Sequence, residues 1–147
     1  MRPLMIGAIG SIVTDTQRLV SPVVSFQERV MDAPKIQTAI PRRRYQFGEY
    51  TGVVLGDIES SDDVKYRYIL ALVREGESRP SFYVTAEKNP RRRAQEGSHR
   101  LRVITHGLDE EVGCSDAWSE LDAFCAEAFT VAARVLGLSD EQPVPIS

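Results

Sequence analysis

Between Phe47 and His106 the apolar residues fall mostly on alternate positions, and from Leu121 onward they fall three and four apart. A period of two is the mark of a half-buried strand, and a period near 3.6 that of an amphipathic helix. In "VKYRYILALVRE" Val64, Tyr66, Tyr68, Leu70 and Leu72 take one face, and Lys65, Arg67, Ile69, Ala71 and Val73 the other. "GESR" is a turn into "PSFYVTAEK", where Phe82, Val84 and Ala86 alternate with Tyr83, Thr85 and Glu87. "NPRRRAQEGS" reads as a loop by its Asn-Pro start and its glycine. In "HRLRVITHGL" Leu101, Val103 and Thr105 face one way, and Arg100, Arg102, Ile104 and His106 the other.

"FGEYTGVVLG" adds a fourth strand, rich in β-branched and aromatic residues. Equal parity puts Gly48, Gly52 and Gly56 on one face of it. Glycine within a strand marks a bend, a bulge or the close approach of another backbone. The C-terminal helix is the expected neighbour, with Ala128 and Ala132 on its buried stripe. A cross-strand Tyr66 or Tyr68 lying over a glycine is the other packing solution, and a ligand resting on the flat stripe is the functional alternative.

Leu121, Phe124, Cys125, Ala128, Ala132, Val135 and Leu136 lie at helical spacing. Ser115 or Ser119 is the expected cap, and Gly137 the stop. Toward the N-terminus, "SPVVSFQERVMDAP" predicts a short helix with Ser21 as cap, Pro22 in the first turn and Pro34 as the stop, with a strand as the alternative. The expected fold is therefore α+β: an antiparallel four-stranded β-meander, a long C-terminal helix packed on one face, and an N-terminal helix or arm. Residues 1–41 would form that arm as part of the same domain, 42–138 the α+β core, and 139–147 a C-terminal tail.

Composition places this chain with ordinary globular domains: 147 residues, 42% apolar and 27% charged, enough to build a core without staples. A net charge of −3 argues against nucleic-acid binding by the whole surface. Cys114 and Cys125 are too far apart along the expected helix for a disulfide, so two reduced thiols and a cytoplasmic setting are expected. The opening "MRPLMIGAIGSIV" lacks a nearby cleavage motif of the secretory kind, and no run reaches the ~20 apolar residues of a membrane span.

Candidate chemistry is sparse. His99 and His106 are an odd number of positions apart, so they face opposite ways and no metal site is expected. No cofactor motif stands out. His106, Cys114 and Asp109 are the candidates for a nucleophilic site, but the acids of "HGLDEEVGCSD" disfavour a thiolate, and a polar loop is the simpler reading. Arg91, Arg92 and Arg93, with Arg100 and Arg102, are the candidates for an anion or nucleic-acid site. Against that, a meander would set Glu59, Asp62 and Asp63 beside Arg91–Arg93, and Asp109–Glu111 beside Arg42–Arg44. The strongest feature is the second sheet face. Ile69, Val73, Tyr83 and Ile104 make it too apolar to stand in water. Residues 1–41 or another chain should cover it. The expected function is a non-enzymatic binding or assembly module that self-associates through this face or an edge strand. The alternatives are a polyanion binder through the arginine-rich loop and a small-molecule enzyme using His106 and Cys114.

Overall fold

The computed structural model describes residues 33–90 and 96–146. Its strands are β1 (Ile36–Phe47), β2 (Tyr50–Ser60), β3 (Tyr66–Arg74), β4 (Phe82–Lys88), β5 (His99–Thr105) and β6 (Leu108–Ser115). A 3-10 turn (Asp116–Ser119), helix α1 (Leu121–Leu136) and a short strand β7 (Val144–Ile146) follow. The seven strands make one antiparallel sheet in the order β6-β5-β4-β3-β2-β1-β7. The chain thus meanders from one edge of the sheet to the other, crosses back on α1, and ends as a strand beside β1.

The expected four-stranded meander with two helices is overturned by this seven-stranded sheet with one C-terminal helix. The central four strands lie where the alternation put them. The three additional strands are β1, β6 and β7, and all are at or next to an edge. β1 contains Pro41 and three arginines, and β6 opens on three acids. An edge strand buries less of each face and tolerates a proline, so its alternation is weak. The sheet therefore begins inside the expected arm and ends inside the expected tail. The helix expected over 21–34 lies outside the described residues except for Ala33 and Pro34, which have no regular structure.

Helix α1 packs on one face. Its buried residues are Phe124, Cys125, Ala128, Phe129, Val131 and Ala132. Val135, expected in the stripe, is exposed, while Phe129 and Val131 turn inward. Phe129 sets its ring edge-on to Tyr45 and Phe47, with centroids 4.8 and 5.1 Å away. Phe124 packs against Tyr68 with ring centroids 5.5 Å apart and planes tilted by 32°. The 3-10 turn takes the cap: the Ser115 hydroxyl accepts from the Ala117 N–H at 3.1 Å. Gly137 ends α1 with φ +71°, and Leu138 N–H donates back to the Ala133 carbonyl at 2.8 Å.

The glycine stripe resolves into two roles. Gly48 is not in a strand; it opens the two-residue turn between β1 and β2 with φ +59°. Gly52 faces α1, and a Cβ there would stand 3.0 Å from Leu72 Cδ2 and 3.4 Å from Phe129 Cζ. Gly56 lies under Tyr68 and the stem of Arg42. Close packing explains both strand glycines.

One expected face assignment changes. A bulge at Arg67 separates the pairs Tyr66–Glu87 and Tyr68–Ala86. The extra residue reverses parity, so Tyr66 joins the second face while Tyr68 stays under α1. The second face groups Tyr66, Ile69, Ala71, Tyr83 and Ile104, with Ala33, Ile36, Leu55, Ile58 and Val64 packed against them. Ile69 and Ile104 are 0% exposed and Tyr83 9%.

Candidate functional site

Glu87 is the most unusual residue of the second face, a carboxylate with 0% exposure. An ionised carboxylate is tolerated in such a place only when it is paired and hydrogen-bonded. β4 pairs with β5 so that Glu87 stands opposite Arg100, with Arg102 one pair further along on the same face. Arg100 Nε donates to Glu87 Oε1 at 2.9 Å, and Arg102 Nε to Oε2 at 2.7 Å. The Thr85 hydroxyl adds a bond of 2.6 Å to Oε2. Arg102 then reaches Asp109 with two contacts of 3.0 Å, and Arg100 lies 3.6 Å from Glu111. Burial works against the Arg102 charge, but Glu87 outweighs it and the guanidinium pKa is raised. Nearby, burial first and the Asp62 carboxylate second raise the pKa of Tyr66, whose hydroxyl donates to Asp62 at 3.0 Å.

This network takes up the side chains expected to bind an anion. Arg100 and Arg102 point their donors inward at carboxylates. Arg91, Arg92 and Arg93 lie outside the described residues. The expected pairing of Arg42–Arg44 with Asp109–Glu111 does not occur, because β1 and β6 stand at opposite sides of the sheet. Arg42 pairs instead with Asp57 at 3.1 Å, and Arg43 with Asp122 of α1.

The residues of the enzymatic alternative do not converge. His106 sits exposed in the β5–β6 turn. Cys114 lies at the far end of β6, about 20 Å away at the ~3.4 Å rise of a strand. Asp109 is held by Arg102, and the Cys114 thiol lies 3.8 Å from Glu111. Cys125 is the buried thiol, and burial raises its pKa against the opposing pull of Tyr45 and Arg43. Among the described residues no cluster of three or more His, Cys, Asp or Glu is placed to hold a metal ion, and no helix is long and apolar enough to cross a membrane.

The feature that the sequence pattern missed is the pair of sheet edges. β1 is 12 residues long, yet β7 pairs with only Arg44, Tyr45 and Gln46. Among the described residues, Ile36–Arg43 has a strand neighbour on the β2 side alone. Where β7 stops, a notch of about 560 Å³ is lined by Pro41, Arg42, Arg43, Arg44, Tyr45, Pro145 and Ile146. Arg44 is exposed there, and among the described residues no ion pair holds it. At the other side of the sheet β6 leaves its outer edge unpaired among the described residues. Among the described residues five large apolar side chains are exposed: Ile40 (52%), Val112 (42%), Val144 (55%), Ile146 (42%) and Val135. The first four are all on β1, β6 and β7, which leaves only Val135 of α1 away from an edge. Three neighbouring arginines beside a lone Ile-Pro pair was the available signal, but it reads equally well as a connector.

Comparison with protein-family models, with curated proteins and with solved structures finds no match to this chain.

Proposed function

We propose that this protein is a non-enzymatic assembly module that self-associates through the edges of its sheet. The observation that carries the reading is the concentration of exposed apolar side chains on the edge strands, beside backbone groups that have no strand partner among the described residues. An unpaired edge offers a row of N–H and C=O groups to another chain, and apolar side chains along it add buried area to that pairing. The second face contributes less to this reading than the alternation suggests, because Ile69, Tyr83 and Ile104 are buried within one chain and Val73 is half-buried. A reducing, cytoplasmic setting fits two cysteines that are not joined in a disulfide.

The test is the mass in solution as a function of concentration. The wild type should rise above the 16.4 kDa of one chain as concentration increases. Ile40→Glu combined with Val112→Glu should hold the mass at one chain while leaving the urea midpoint unchanged, since both side chains are exposed. A wild type that stays at one chain throughout, or a double variant that still associates, would remove the reading.

A further inference from the structure

We infer that the partner of the β1 edge is the β6 edge of a second copy, so that copies join head to tail into one continuing sheet. This rests on the edge-association reading and adds its polarity. Three observations support it. The first is charge. β1 brings Arg42, Arg43 and Arg44 to one edge, and β6 brings Asp109, Glu110 and Glu111 to the other. An edge pairing antiparallel with its own copy across a two-fold axis sets the arginine end of β1 against its Ile36 end, or the acidic end of β6 against its Ser115 end, so no opposite charges meet. β1 against β6 sets opposite charges together, which adds a cross-strand attraction to the ion pairs that Arg42, Arg43, Asp109 and Glu111 already make within the chain.

The second is length and direction. The part of β1 without a second strand neighbour among the described residues, Ile36–Arg43, has the same eight-residue length as β6. In a wholly antiparallel sheet β1 and β6 run in opposite directions, separated by four strands. A copy moved sideways in the sheet plane therefore offers β6 antiparallel to β1, in line with β7 where β7 ends at Ile146. Leu108 of that copy then lies nearest Arg43, and the acids at the start of β6 lie near the arginines.

The third is the match of faces. Glu110 pairs with Val103, on the side of α1, and Arg42 and Arg43 also lean to that side, over Gly56 and to Asp122. Asp109 and Glu111 stand on the second face with Arg102 and Arg100. Arg44 stands there too, since Tyr45 and Phe47 point to α1. Sideways translation keeps the two faces of the sheet aligned, so acids and bases share each face, with Arg44, itself opposite Ile146, diagonal to the start of the copy's β6. Pro41 has no N–H to give, and Arg42 and Val112 are bulge residues. These interruptions shorten the new ladder and keep the contact weak and reversible.

Two single-edge variants test the polarity. Ile40→Glu places an acid on β1 against the acids of β6, and Val112→Lys places a base on β6 against the arginines of β1. Each alone should sediment as a single chain. Mixed in equal amounts they should form a 1:1 complex of twice the single-chain mass and no larger, because only one intact edge remains on each. If Val112→Lys fails to fold, Glu110→Lys serves as the β6 variant. In the wild type the mass should keep climbing with concentration, without a plateau at two chains, and should fall as salt is raised. Either variant associating on its own would show a two-fold contact and overturn the inference while leaving edge association standing. A mixture that stays at the single-chain mass would also overturn it.

Discussion

Glu87 shows how a single residue can fix the pairing of strands. Its two carboxylate oxygens are shared between Arg100 and Arg102, and each bond exists only in the observed register of β4 and β5. A slip by one residue would send both arginines to the face of α1 and leave the carboxylate buried alone. Such a pair need not add much to net stability, because taking the charges out of water costs about as much as their attraction returns. Removing one partner is another matter. Glu87→Ala should destabilise by roughly 3–5 kcal/mol, since two largely buried guanidinium groups lose their shared buried counter-charge and keep only the more exposed Asp109 and Glu111. Replacing all three residues by apolar side chains of similar volume should recover most of that loss. Urea unfolding of the two variants checks the pair, and a Glu87→Ala change below about 1 kcal/mol would mean that water already solvates the arginines. In the sequence the alternation put Glu87 and the two arginines on one face. The pairing that brings them together depends on register, which a single strand does not disclose.

Elements were legible in proportion to how much of them is buried. β3 and β4 are central, and their alternation is regular enough to assign faces up to the bulge at Arg67. α1 was legible as a helix, although its buried stripe is rotated toward Phe129 and Val131. The rotation follows from what lies beneath: Tyr45, Phe47 and Gly52 form a recess that a phenylalanine fills and a valine at 135 would not reach. The edge strands were illegible because exposure removes the need for alternation, and "LDEEVGCS" satisfies a loop as well as an edge. The helix–sheet contact gives the prediction at this scale. Phe124 is fully buried against Tyr68, so Phe124→Ala should cost about 3–5 kcal/mol in denaturant unfolding. Val135→Ala, one turn beyond the buried stripe, should change stability by less than ~0.5 kcal/mol. Similar losses at both positions would mean that the helix sits on its other face.

For the molecule as a whole, the sheet has two kinds of apolar surface, and they should answer differently to the same insult. Ile69 and Ile104 are 0% exposed within one chain, while Ile40 and Val112 are about half exposed at the edges. A charge at Ile69 has to be desolvated on a face whose buried carboxylate, Glu87, is already held by Arg100 and Arg102, which costs several kcal/mol and takes away much of what a marginally stable domain has. Ile69→Lys with Ile104→Glu should therefore unfold the chain, seen as loss of the cooperative unfolding transition, instead of releasing folded single copies. A charge at Ile40 remains in water in the isolated chain and is buried only if an edge contact forms. Ile40→Glu should thus leave the unfolding midpoint where it was and change only the concentration dependence of mass. The two variants separate folding from assembly: the first fails in dilute solution, and the second fails only where copies would meet. A folded, single-chain Ile69→Lys/Ile104→Glu variant would reverse the assignment, because it would make the second face the contact between copies and the edges mere boundaries of the sheet.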